Sequence, residues 1–141
     1  MTVTQQQKKA GSPPGRAAIW TLAVIDGGLM VTSGLIHLHL WDIAYRNVAT
    51  LGPLFLVQAI AALVLAVAIV ATRHILVVAA GLALVAGTII GFFLARSVGL
   101  FGFKLTFTSG LASTVLVVEF VAVVTLALTA ALLLRRRQAA G

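Results

Sequence analysis

The chain has 141 residues, of which 61% are hydrophobic and 9% charged, with a formal net charge of +7. Soluble domains carry about 25% charged residues, so a soluble globule built from this chain would lack the polar surface to cover itself. Cysteine is absent, which excludes disulfide frameworks, thiolate metal sites and cysteine nucleophiles.

Residues 1–16 open with a polar stretch (MTVTQQQKKAGSPPG) that has a Gln run, a Lys pair and Pro-Pro. No periodic apolar face is present, so the composition predicts a disordered basic tail. A signal peptide is the competing reading. It is disfavoured because Asp26 interrupts the apolar stretch that follows and no small-residue cleavage site appears.

A membrane-spanning helix needs about 20 mostly apolar residues. Four blocks meet this: 17–40, 51–72, 75–95 and 110–134. They predict an all-α integral membrane fold, an antiparallel bundle of four transmembrane helices occupying 17–134, followed by a basic tail at 135–141. Trp41 to Thr50 forms a modest loop, and Pro53 suits the first turn of the second helix. The third helix follows the second after a very short turn. The last connection is rich in Phe101, Phe103, Phe107, Leu100 and Leu105, too apolar for a freely solvated loop. It is expected along the membrane interface or folded back over the bundle, with Trp41 and Tyr45 near its level.

Orientation follows from basic residues. One set of connections holds Lys8, Lys9, Arg16, Arg73, Arg135, Arg136 and Arg137; the other holds Arg46, Arg96 and Lys104. The positive-inside bias therefore predicts cytoplasmic N- and C-termini. These clusters flank apolar blocks, so they read as contacts with lipid headgroups in the bilayer rather than with nucleic acid.

Helices in lipid associate through close packing of small residues. Ala83, Gly87, Gly91 and Ala95, continuing from Ala79, recur every fourth residue of the third helix. They predict a face that packs on a neighbour, either inside the bundle or in a membrane-protein partner or second copy.

Ionisable groups inside a membrane cost about 2.5–3.5 kcal/mol each on insertion scales, so each needs an account. Asp26, Met30, Ser33 and His37 share one face of the first helix, with Asp26 and His37 about 16 Å apart along its axis. Glu119 lies at similar depth in the fourth helix. Gln58 in the second helix and Thr88 in the third project to the outer half. Turned inward, these residues would form a polar column: Asp26 low, Glu119 and Gln58 in the middle, His37 and Asp42 above. Glu119 is expected neutral, or hydrogen-bonded to Gln58, Thr88 or His37. His74 is placed in a loop, at headgroup level.

His37 and His39 are the candidates for a metal or haem ligand. They point about 200° apart on a regular helix, so they form no two-histidine clamp. No cofactor or metal is expected. Phosphate-binding, dinucleotide and zinc-protease motifs are absent. Ser33, His37 and Asp26 lie on one helix without the geometry of a catalytic triad.

The stretch Gly34-Leu35-Ile36-His37-Leu38-His39-Leu40-Trp41, with Tyr45 and Leu51-Gly52-Pro53-Leu54-Phe55-Leu56-Val57-Gln58, resembles small four-span proteins of bacterial membranes. Gly99-Leu100-Phe101-Gly102-Phe103 and the Glu119 region fit the same pattern. The resemblance implies the four-span fold in a bacterial cytoplasmic membrane and attaches no activity or site residues to it. The chain differs from the small four-helix multidrug exporters, which place an essential Glu in the first helix. Here the first helix carries Asp26 and the Glu stands in the fourth, so their transport function is not carried over.

Two functions are consistent with these residues. One is a non-enzymatic accessory or assembly component of a membrane complex, associating through the third-helix face. The other is a small proton-coupled carrier or proton-relay protein using Glu119, Asp26 and His37. With no catalytic constellation, enzymatic activity is not expected.

Overall fold

The computed structural model describes residues 14–105 and 110–140. The expectations for residues 1–13 and for Phe107 lie outside the described residues. Four α-helices account for most of the chain: α1 (Pro14–Leu40), α2 (Leu51–Thr72), α3 (Ile75–Ser97) and α4 (Gly110–Ala140). A single π-helical turn, Trp41–Tyr45, extends α1. No strand occurs among the described residues, and all four helices are long and apolar enough to cross a membrane.

The helix ends depart from the expected boundaries where propensity outweighs hydropathy. The first helix begins at Pro14 rather than 17, with a residue pre-set for a first helical turn. α3 ends at Ser97 rather than 95. α4 continues through Arg135, Arg136 and Arg137 to Ala140, so the described part of the expected basic tail is helical. Ala, Leu, Arg and Gln are all good helix formers. The loop expected from Trp41 starts instead as the π-turn, in which the Arg46 amide donates to the Trp41 carbonyl at 2.8 Å. Gly52 closes this corner: a Cβ there would stand 2.7 Å from the Tyr45 carbonyl oxygen, a distance that only glycine avoids.

Each helix buries one stripe. On α1 the stripe is Ile19, Ala23, Asp26, Met30, Ser33, His37 and Leu40. On α4 it is Val115, Glu119, Ala122, Leu126 and Thr129. Both advance three or four residues at a time, the spacing of one helical face. α1 packs against α2 and α4, while α3 packs against α4 and α2. The remaining faces expose large apolar side chains such as Val57, Val64, Val67, Leu76, Ile90 and Val117. Water would penalise such a surface; hydrocarbon does not.

α1 and α2 approach each other closely at two glycines of α1. A Cβ at Gly34 would lie 3.1 Å from the Ala59 carbonyl oxygen and 3.3 Å from the Ala62 side chain. One at Gly27 would meet Val70 at 2.7 Å. Opposite them, Ala59, Ala62 and Ala66 are buried on α2. This small-residue seam does what the α3 row was expected to do within the bundle. Around Gly87 and Gly91 an added Cβ would meet nothing within 4 Å, and α3 instead buries Val78, Gly81 and Val85. With residues advancing about 100° each, the face that packs is turned more than a third of a turn away from the small-residue row.

At one end of the molecule the start of α1, the α2–α3 turn and the end of α4 meet. The Arg73 guanidinium stacks 4.4 Å over the Trp20 ring and donates to the Val70 carbonyl. Arg137 lies 3.3 Å from His74, which is exposed and also caps α3 by accepting from the Leu76 amide. We call this the terminal end. At the other, loop end, Leu100 and Phe103 exchange backbone hydrogen bonds of 2.7 and 2.9 Å in a tight turn. The Leu105 amide then donates to the Ala95 carbonyl, folding the connection back onto α3.

Candidate functional site

Two buried carboxyl groups stand at different levels of the α1–α4 interface. Toward the terminal end, Asp26 accepts a 2.6 Å hydrogen bond from the Thr129 hydroxyl. Toward the loop end, Glu119 accepts from the Ser33 hydroxyl at 3.2 Å. Between them lie Met30, Ala122 and Leu126, each at most 1% exposed and part of one apolar core cluster. The expected single polar column therefore does not form, because this packed layer interrupts it. Asp42 is no part of it either: it lies on the π-turn, exposed, 3.4 Å from Arg46.

The loop-end group has a defined hydrogen-bond direction. His37 Nδ1 lies 2.9 Å from the Ser33 carbonyl oxygen. A carbonyl only accepts, so Nδ1 carries the hydrogen and donates it. In the neutral imidazole this leaves Nε2 as a bare acceptor, and it stands 3.9 Å from Glu119 Oε1. That separation exceeds a hydrogen bond. One proton can be counted on Glu119 with a neutral His37, or on His37 with an ionised Glu119. A bridging hydrogen-bonding group, or a small side-chain rotation, would connect the two states.

A cavity of about 600 Å³ opens beside Glu119 and His37 and extends to the loop end. Its wall is mostly apolar and is drawn from all four helices, the π-turn and the last loop. Gln58 and Thr88 line it, as do Ala83, Gly87, Gly91 and Ala95 of the small-residue row. The Thr88 hydroxyl is occupied by the Leu84 carbonyl of its own helix at 3.0 Å. An aromatic series runs along the wall. Tyr45 stacks on Phe55 at 4.3 Å, Phe103 meets Tyr45 edge-on at 5.8 Å, and Phe55 lies 5.4 Å from the His37 ring.

Three buried side-chain atoms have no hydrogen-bond partner among the described residues: Asp26 Oδ1, Gln58 Nε2 and Glu119 Oε2. Leaving such a group unpaired costs about 1–3 kcal/mol. Two of these three belong to residues of the cavity wall. The concentration of unsatisfied polarity at the closed end of one apolar cavity is the chief anomaly of the molecule.

Of the candidate residues, the structure brings His37 and Glu119 together through Ser33, and gathers Gln58 and Thr88 around the same cavity. Asp26 stands apart with Thr129. His39 is exposed while His37 is buried, and no group of three His, Asp or Glu side chains able to hold a metal ion occurs among the described residues. Sequence reasoning placed Ser33 on the right face of α1 without its Glu119 bond, and missed Thr129 altogether. The signal for Thr129 was its spacing from Glu119 along the α4 stripe. Comparison with protein-family models, curated proteins and solved structures found no match for this chain.

Proposed function

We propose that the chain is a multi-pass protein of a bacterial cytoplasmic membrane, its helices crossing antiparallel with both termini on the cytoplasmic side. We further propose that it works as a proton-relay component: Glu119, Ser33 and His37 take up and release a proton at the closed end of a cavity that extends to the loop end, the outer end in this topology. The observation that carries this reading is the unpartnered, buried Glu119 Oε2 at the cavity wall, beside a histidine whose free ring nitrogen is within one bridging group of the same carboxyl. Convergent titratable groups at the end of an apolar pocket are what proton-handling sites are made of. The packed layer at Met30 and Leu126 argues for a relay served from one side rather than a carrier with a continuous path.

The test is infrared titration of the protein in lipid nanodiscs, following the carboxyl C=O band in wild type and Glu119→Gln. A band that comes and goes with pH and is missing in the variant supports the relay. A carboxyl whose protonation never changes across the physiological range sinks it.

The accessory reading draws on the α3 side of the same cavity, where an added Cβ at Gly87 or Gly91 meets nothing within 4 Å and a partner helix could lie. Here Gly87→Leu should weaken co-purification with a membrane partner while Glu119→Gln leaves it intact. Unchanged recovery of every partner with Gly87→Leu counts against it.

A further inference from the structure

The cavity has the features of a ligand site. Its size falls within the range of about 300–1,000 Å³ typical of small-molecule pockets. Its opening is lateral. Among its lining residues Ile43 and Leu54 are exposed on one side, and Ala83 and Gly87 on α3. Those positions belong to apolar outer surface, so an occupant can enter sideways from the surrounding hydrocarbon. The occupant is therefore lipid-soluble.

The closed end specifies the head. Gln58 Nε2 is a buried donor without an acceptor, and Glu119 Oε2 is a buried carboxyl oxygen without a partner. Glu119 is only 1% exposed. A carbonyl satisfies the first. A hydroxyl donating to the ionised carboxyl, or a carbonyl accepting from the protonated one, satisfies the second. Among the described residues the lining contains no Lys or Arg, so a phosphate or carboxylate head would find no counter-charge beside Glu119. Tyr45, Phe55, Phe92 and Phe103 supply flat apolar walls, suited to a ring.

We propose that this cavity binds an isoprenoid quinone or its quinol, with the ring against Tyr45 and Phe55, one ring oxygen at Gln58 and Glu119, and the tail leaving between the π-turn and α3. This assignment rests on the proton-handling reading of Glu119 and gives that group its partner in proton exchange. It concerns binding, and no electron transfer is part of it.

The probe is a methyl-naphthoquinone bearing a short prenyl chain, measured by equilibrium dialysis against nanodiscs with and without protein. Saturable binding, near one molecule per chain, is expected. Gln58→Leu should weaken it about tenfold, the equivalent of one hydrogen bond at about 1.4 kcal/mol per decade. Gly87→Phe, built into open space, should abolish it with the thermal unfolding midpoint unchanged. Oleic acid should not compete. The proposal is overturned by binding no greater than to empty nanodiscs, by binding indifferent to both variants, or by displacement with oleic acid, which would make the occupant a fatty acid. None of these outcomes touches the infrared titration of Glu119, so the quinone assignment can fail while the relay stands, and a silent carboxyl can sink the relay while saturable binding survives.

Discussion

Asp26 and Glu119 carry the same chemical group at two levels of one helix interface, yet they occupy opposite situations. Asp26 is completely buried beside the Met30–Leu126 layer and lines no described cavity, with a short bond from Thr129 on one oxygen and none on the other. Glu119 is equally buried, but one of its neighbours is a cavity. The first arrangement ties α1 to α4 and leaves the carboxyl nothing to exchange with. The second leaves it a route to something that enters and leaves. A carboxyl in an apolar helix therefore does not by itself indicate function; the volume next to it decides.

The sharpest way to break this comparison is a hydrophobic carbodiimide, which enters from lipid and modifies protonated carboxyls. Mass spectrometry of the treated protein should find the adduct on Glu119 and none on Asp26. Equal modification would show that the packed half is as open as the cavity half. Next in size is Thr129→Val, nearly isosteric, which strips a donor from a carboxyl that cannot be resolvated. It should cost about 1–3 kcal/mol of stability, read as a lowered unfolding midpoint in detergent. Ser33→Ala removes the corresponding donor from Glu119, yet the cavity can admit water to replace it. Its cost should be about 1 kcal/mol or less; a loss equal to that of Thr129→Val would mean the cavity is dry and closed. The smallest effect belongs to Gly87→Leu. With nothing within 4 Å of an added Cβ, stability should stay within about 0.5 kcal/mol of wild type.

Much of the fold can be read from residues in order, because hydropathy at this density leaves few alternatives: each apolar block of sufficient length is a helix. What could not be read depends on contacts distant in sequence. The π-turn at Trp41–Tyr45 carries no local signal, and its corner is closed by Gly52, whose lack of a side chain lets the Tyr45 carbonyl approach. The extension of α4 past Leu134 was hidden because three arginines resemble a boundary on a hydropathy scale, although they favour helix. In the site, periodicity assigned Asp26, Ser33 and His37 to one face of α1, but it says nothing of how far α4 is rotated. That rotation determines that Glu119 meets Ser33 while Thr129 meets Asp26. Regular spacing points to α3 for a small-residue seam, whereas within the bundle the contact is made where Gly27 and Gly34 face α2 at Ala59, Ala62, Ala66 and Val70.

The turn between α2 and α3 consists of Arg73 and His74 alone, with Arg73 in the left-handed conformation at φ 49°. In the membrane topology proposed above, a link this short has a consequence for biogenesis. Neither helix can be released into lipid while the other waits in an aqueous channel, since two residues cannot span the distance between them. The pair must leave the ribosome, fold back and partition together. Arg73 would remain at the near side throughout, its charge already engaged by Val70 and Trp20. Lengthening this turn with a few flexible residues would therefore act first on how the chain is assembled, and only afterwards on the finished bundle.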